Sequence, residues 1–281
     1  MKKSILKPVM FKTAVYIICG VLVILSLFPF VVMAVNSTRS TPEIQQRAVS
    51  LIPSTNIATN MAVLTGRLFN PFRGMLNSAI ISTSATLLTV YFSTLTAYAL
   101  VAYNWRMRRP FFTLIMAVMM IPAQVTGVGF FHFMFRIGWT NNFLALILPA
   151  AAAPMAVFFL RQYMLGALSF ELIDAARVDG YGEFRIFNQL IIPIMKPAMA
   201  TQAIFSFVAS WNNLFIPSVL LTQSDRMTLP IMVALLRGDA YRVELGAIYL
   251  GLAIAVLPLM ITYFIFSKYI VAGIALGAVK G

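Results

Sequence analysis

Long apolar runs alternate with short polar, often basic, stretches along nearly the whole chain. Six runs, near residues 13–35, 77–101, 111–131, 143–165, 198–221 and 246–267, come close to or exceed the ~20 residues that a helix needs to cross ~30 Å of hydrocarbon. The pattern predicts an all-α, polytopic membrane protein whose residues 1–281 form one transmembrane domain. The polar stretches at 36–76 and 166–197 are too short to hold a soluble domain. The first run has two readings. Met1–Lys12 is basic and Val32-Met33-Ala34 resembles a signal-peptidase site. The run is, however, about 23 residues long, where a signal core has about 7–15, and a retained first helix is expected.

Within the spans the polar residues follow a helical period. Ser78, Ser82, Thr86, Thr89, Ser93 and Thr96 recur at intervals of three or four and share one face of the second span. Hydroxyls on such a face hydrogen-bond neighbouring helices or line a hydrated path, and both readings fit. Pro122, Pro149, Pro154, Pro217 and Pro258 interrupt four spans, and Gly127 and Gly129 follow the first of them. Broken membrane helices fit a moving transporter better than a static anchor, since neighbours or a water-filled cavity must satisfy the freed carbonyls. Trp211-Asn212-Asn213 sits in the fifth span. An indole and two amides suit a sugar, whose C–H faces stack on aromatic rings and whose hydroxyls bond amides. They equally suit helix packing. His132 belongs to the membrane boundary and Cys19 to the apolar first span.

Composition narrows the function. Hydrophobic residues make up 60% of the chain and charged residues 10%, which excludes a soluble enzyme and a disordered protein. One cysteine and one histidine leave no disulfide framework and no Cys/His metal cluster. Glycine is nowhere followed by lysine, so the chain has no phosphate-binding loop of the Walker type. All eight acidic residues fall outside the spans, which weighs against a proton relay and favours a neutral polar solute. The net charge of +13 points to topology rather than to nucleic acid. Every lysine, and thirteen of the 21 basic residues counting Arg161 near the end of the fourth span, lie on the side holding the N-terminus, 102–110, 166–197 and the C-terminus. That side is expected to be cytoplasmic, leaving 36–76, 132–142 and 222–245 outside.

The segment Ser169–Pro197 contains half of the acidic residues. Ser169 is placed to cap a helix, Glu171 puts charge in its first turn, and Gly180 suits its C-terminal stop. A helix of about ten residues needs a docking surface, and the segment's four carboxylates argue against anionic lipid as that surface.

Here the chain resembles the "EAA" loop of ABC importer permeases, with Asp174-Ala175-Ala176, then Asp179-Gly180, then Ile192-Pro193. Asp174 replaces the motif's Glu and Ile192 its Leu. Asn77-Ser78, Ala97-Tyr98-Ala99-Leu100, Ile121-Pro122, Trp211-Asn212-Asn213, Thr228-Leu229-Pro230 and Gly277-Ala278-Val279-Lys280-Gly281 extend the likeness to the sugar-importer branch, in particular the maltose-type second permease. The resemblance implies a type I permease fold with six transmembrane helices and a cytoplasmic coupling helix in a bacterial plasma membrane. It implies as partners a second permease, two ATPase subunits and an external solute-binding protein, with a sugar, an oligosaccharide by preference, as solute. ATP and Mg are then held by the ATPase, and this chain carries no cofactor or catalytic residue of its own. Glu171, Asp174, Ala175, Ala176, Asp179 and Gly180 would contact the ATPase, and Val279, Lys280 and Gly281 would reach toward it. Trp211, Asn212, Asn213, Ser82 and Thr86 would border the solute path. On composition alone, a self-contained secondary transporter or channel for a neutral polar solute also fits, as does a scaffold. Only the importer needs the Asp174–Gly180 segment.

Overall fold

The computed structural model describes residues 3–66, 70–236 and 244–278. The described residues are helical with no strand. In chain order the helices are α1 (Lys3–Asn36), α2 (Thr41–Gln46), α3 (Ile57–Thr65), α4 (Pro71–Ala102), α5 (Arg108–Met119), α6 (Ala123–Arg136) and α7 (Leu144–Ile147). They continue with α8 (Pro154–Ala167), α9 (Phe170–Val178), α10 (Glu183–Ile186), α11 (Ile192–Trp211), α12 (Phe215–Leu220), α13 (Leu229–Leu236) and α14 (Leu245–Ala278). Among the described residues, four helical stretches are long and apolar enough to cross a membrane: Phe11–Asn36, Pro71–Ala102, Leu144–Ala167 and Glu183–Trp211. Leu245–Ile261 is a shorter apolar helix.

Three of the expected spans take a different form, and proline accounts for much of it. The run at 111–131 is two helices, because Pro122 has no N–H to continue α5 and instead opens α6. The run at 143–165 changes to a tight 3-10 turn at Leu148–Ala151 around Pro149, then restarts as α8 at Pro154. The fifth span begins much earlier than 198 and ends earlier than 221. Helix runs from Glu183 to Trp211, through a wide π turn at Phe187–Ile191. There the Ile192 N–H donates to the Phe187 carbonyl, one residue further back than in an α-helix. The widened turn lets the chain stay helical past Pro193, and Pro197 lies inside α11. Half of the expected coupling loop at 169–197 is therefore the start of this helix.

The chain packs as two compact units. One comprises Met1–Pro71 with Val233–Val256. In it residues 11–31 of α1 are predominantly apolar and exposed on all sides, Tyr16 at 76% and Ile24 at 68%, as suits a helix surrounded by lipid or by another apolar surface. The turn that follows is held by polar contacts. Buried Arg39 donates from Nη1 to Asn36 Oδ1 (2.9 Å) and to the Arg47 carbonyl (2.8 Å), and from Nη2 to the Glu43 carbonyl (2.7 Å). Glu43 accepts from the Ser40 N–H (2.7 Å), the Ser54 hydroxyl (3.0 Å) and Asn56 Nδ2 (3.2 Å). The start of α14 presses on this turn so closely that a Cβ at Gly246 would overlap the Arg39 carbonyl and the Asn60 amide.

The other unit comprises Phe72–Met232 with Leu257–Gly281. Helix α4 runs through it and packs toward both of its ends. Near its start, Ile81 joins Met134, Ala145, Ile147, Leu220, Leu221 and Ile231. Here Asn77 Nδ2 donates to the carbonyls of Asp225 (3.0 Å) and Met227 (2.9 Å), and the Leu229 N–H donates to Ser78 Oγ (2.9 Å). Near its end, Ala97, Tyr98 and Val101 meet Leu160 and Met164 of α8, Ile173 of α9, and Ile186, Phe187, Ile191 and Met195. This second cluster is the seat of the candidate site.

Candidate functional site

Helix α9 lies on that seat by one face. Ile173 is its buried side chain, at 1% exposure, and Ala176 and Arg177 are half-buried beside it. Glu171, Asp174, Ala175 and Val178 are exposed, a spacing that aligns them along the opposite face. Of the six residues expected to contact an ATPase, Glu171, Asp174, Ala175, Asp179 and Gly180 are therefore accessible, and Ala176 turns toward the seat. Ser169 occupies the N-cap position in extended conformation, but its hydroxyl makes no capping bond. The C-terminus closes as the sequence leads one to expect. The Tyr181 N–H donates to the Ala176 carbonyl (3.0 Å) and the Gly180 N–H to the Arg177 carbonyl (3.0 Å), the double bond of a Schellman stop. Gly180 has φ +81°, the left-handed conformation such a stop requires.

A polar cluster absent from the sequence reading fixes α9 in place. Arg177 Nε donates to Glu183 Oε1 at 2.7 Å, and Arg177 Nη1 to Asp174 Oδ1 at 3.0 Å. The hydroxyls of Tyr98 (3.2 Å) and Tyr103 both donate to Glu183 Oε2. The bond to Glu183 raises the Arg177 pKa further above its already high ordinary value, so the guanidinium is always charged. Burial, then the adjacent Glu183 carboxylate, raises the Tyr103 pKa and keeps its phenol a donor. The signal for the ion pair lies in the sequence: opposite charges at 177 and 183 flank the Asp-Gly turn. Nothing in the spacing of Tyr98 and Tyr103 points to Glu183.

The expected path residues separate. A cavity of about 420 Å³ lies among α4, α8 and α11, lined by small side chains such as Ala85, Ala153 and Ala209 and by the polar groups of Thr89, Gln202, Ser206, Ser210 and Asn213. Asn213 therefore faces it, in the break that follows α11. Asn212 ends that helix as its C-cap, and Trp211 is buried and stacks on Phe207 at 5.6 Å, so neither stands mid-span as expected. Ser82 and Thr86 do not line the cavity. Both are buried, and among the described residues their hydroxyls have no hydrogen-bond partner. Thr89 donates to the Ala150 carbonyl (2.7 Å) and Gln202 Nε2 to Ser206 Oγ (3.0 Å). Gln202 and the two serines were missed, although their spacing of four places them on one helix face. Val279, Lys280 and Gly281 lie outside the described residues. Among the described residues no cluster of His, Cys, Asp or Glu is arranged to hold a metal ion.

Comparison with known proteins bears on the family and the fold. Residues 90–276 match the family model described as binding-protein-dependent transport system inner membrane component. The chain is similar to the arabinooligosaccharides transport system permease protein AraQ of Halalkalibacterium halodurans, 36% identical over 92% of each chain. It is also similar to the lactose transport system permease protein LacG of Rhizobium radiobacter, 30% identical over 94% of this chain and 95% of that one. The trehalose/maltose transport system permease protein MalG of Thermococcus litoralis is 31% identical over 92% of this chain and 93% of its own. The crystal structure of a bacterial ABC transporter involved in the import of the acidic polysaccharide alginate contains a chain of the same fold. That chain matches with a TM-score of 0.77 at 23% identity, covering 92% of this chain and 96% of its own.

Proposed function

The chain belongs to the family of binding-protein-dependent transport system inner membrane components, and from that premise we propose that it is a permease subunit of an ATP-driven importer of sugars, with oligosaccharides as the solute class. It is a multi-pass membrane protein and a transport subunit. In this reading it pairs with a second permease in a bacterial inner membrane, with both termini in the cytoplasm. Two ATPase subunits dock from the cytoplasm and hold ATP and Mg, and a solute-binding protein delivers the sugar from outside. The permease relatives that handle arabinooligosaccharides, lactose and trehalose/maltose support the solute class.

The observation that carries the reading is α9. It is a short helix seated through Ile173, stopped at Gly180, and exposing Glu171, Asp174, Ala175 and Asp179. Nine residues of isolated helix are unstable in water, so a helix held on one side and bare on the other is built for a second surface. ATP-driven closure of the ATPase pair would displace α9 as a rigid lever, and the spans would change access from one side to the other. The solute path runs along α4 and the cavity bordered by Thr89, Gln202 and Asn213. Ser82 and Thr86 do not line that cavity, but they lie on α4 one and two turns before Thr89, and their buried hydroxyls, without a hydrogen-bond partner among the described residues, extend the polar face of α4 that leads to it. A cavity with a mostly apolar wall whose polar groups are uncharged amides and hydroxyls suits a neutral sugar.

The test is uptake of labelled oligosaccharide into proteoliposomes holding the full complex. Uptake is expected to need ATP, the ATPase and the binding protein, and Gln202→Ala and Asn213→Ala are expected to slow it while assembly persists. Uptake that continues with the ATPase omitted would contradict the proposal.

A further inference from the structure

We propose that Glu183 is a positioning residue that hooks the coupling helix α9 to the end of α4, so that the two move as one body. This rests on the importer reading above and assigns a transmission role inside this chain. Apolar contact alone does not fix the orientation of α9. Ile173 is its one fully buried side chain among the described residues, and only the small Ala176 packs beside it, so apolar contact alone leaves α9 able to swivel about Ile173. Arg177 lies one turn further on the same face and supplies the second point of attachment. Its Nε donates to Glu183 Oε1 at 2.7 Å. The other carboxylate oxygen, Oε2, accepts from Tyr98 (3.2 Å) and Tyr103, one on α4 and one just beyond its end. One carboxylate thus joins three segments. Tyr98 is 2% exposed, and its hydroxyl is held by Glu183 with the Tyr103 phenol beside it, so removing the carboxylate weakens the pairing of a buried donor.

The same guanidinium holds Asp174 Oδ1 at 3.0 Å, which ties the exposed acidic face to the hook. A push on that face reaches Arg177, then Glu183, then Tyr98. From Tyr98, α4 runs back to Thr89 at the cavity, nine residues or about 13 Å along a continuous helix. A charged hydrogen bond of fixed geometry resists both tension and rotation, which a greasy contact does not.

The experiment uses the complete reconstituted complex and reads solute imported per ATP hydrolysed, together with copurification of the ATPase. Glu183→Gln keeps the side-chain shape and removes the charge. It is expected to leave assembly and basal hydrolysis in place and to lower solute per ATP about fivefold or more. Tyr103→Phe is expected to act in the same direction more weakly. The charge exchange Arg177→Glu with Glu183→Arg is expected to recover part of what either single exchange loses. Wild-type stoichiometry in Glu183→Gln would overturn the proposal. So would equal loss of assembly in the singles and the exchange, which marks a purely structural role. If the unmodified complex itself imported without ATP, the importer reading would fail instead, so the two failures are distinguishable.

Discussion

Replacing Gly180 isolates the geometry of the lever from its contacts. At φ +81° the residue lies in the left-handed region, and a Cβ built there meets nothing of this chain within 4 Å, so within the chain the cost of substitution comes from the backbone. An L-residue in this conformation costs roughly 1–2 kcal/mol, offset by about 0.4–1 kcal/mol because alanine also restricts the unfolded chain. Gly180→Ala therefore weakens the turn by about 1 kcal/mol, roughly fivefold in its population. Gly180→Asn is expected to be milder, since asparagine tolerates this region. Gly180→Pro forces φ to the wrong sign and removes the N–H that bonds the Arg177 carbonyl, at a cost of about 3 kcal/mol or more. The assay is ATP-dependent uptake in proteoliposomes, normalised to the amount of inserted chain, alongside copurification of the ATPase. The expected order of activity is Gly, Asn, Ala, Pro. Wild-type uptake and assembly in Gly180→Pro, or an asparagine variant worse than the alanine variant, would refute the reasoning.

Two further outcomes are expected. Ile173→Ala empties a fully buried position and should destabilise the seating of α9 by about 2–5 kcal/mol, read as faster protease nicking between 169 and 182, whereas Val178→Ala on the exposed face should not. Glu43 has its pKa lowered first by the Ser40 N–H, then by the hydroxyls of Ser40 and Ser54. Its contribution to the turn at 38–56 is present above the ordinary carboxylate value and is lost as pH falls through the lowered one. Hydrogen exchange in that turn, corrected for the intrinsic rate, should lose protection on acidification in the native chain and show no such step in Glu43→Gln.

Much of the architecture was legible because hydropathy and length dictate it. The runs at 13–35 and 77–101 sit within α1 and α4 as observed, and the small helix before Gly180 ends where the glycine requires. What hydropathy does not register is backbone hydrogen bonding. An apolar run reads the same whether a proline breaks it, as Pro122 does, or is absorbed by a π turn, as Pro193 is. For that reason the fifth span began at Glu183 rather than at 198, and Trp211 closes its helix instead of lying mid-span. The site was half legible for a related reason. Of the six residues named from the motif, five are exposed on α9 and its stop, since those positions are defined by local sequence, while Ala176 turns toward the seat. The bond from Tyr98 to Glu183 joins residues 85 apart, and the cavity gathers residues from α4, α7, α8 and α11, so neither is encoded in local spacing.

The central claim is that α9 presents its exposed face to the ATPase inside the cell. Cysteine cross-linking in intact membrane vesicles tests it most directly, with Cys19 first replaced by serine because it is the chain's own exposed thiol. Ala175→Cys is predicted to cross-link to the ATPase subunit and to be shielded from a membrane-impermeant thiol reagent added outside. Labelling of Ala175→Cys from the outside, with no cross-link to the ATPase, would contradict the account.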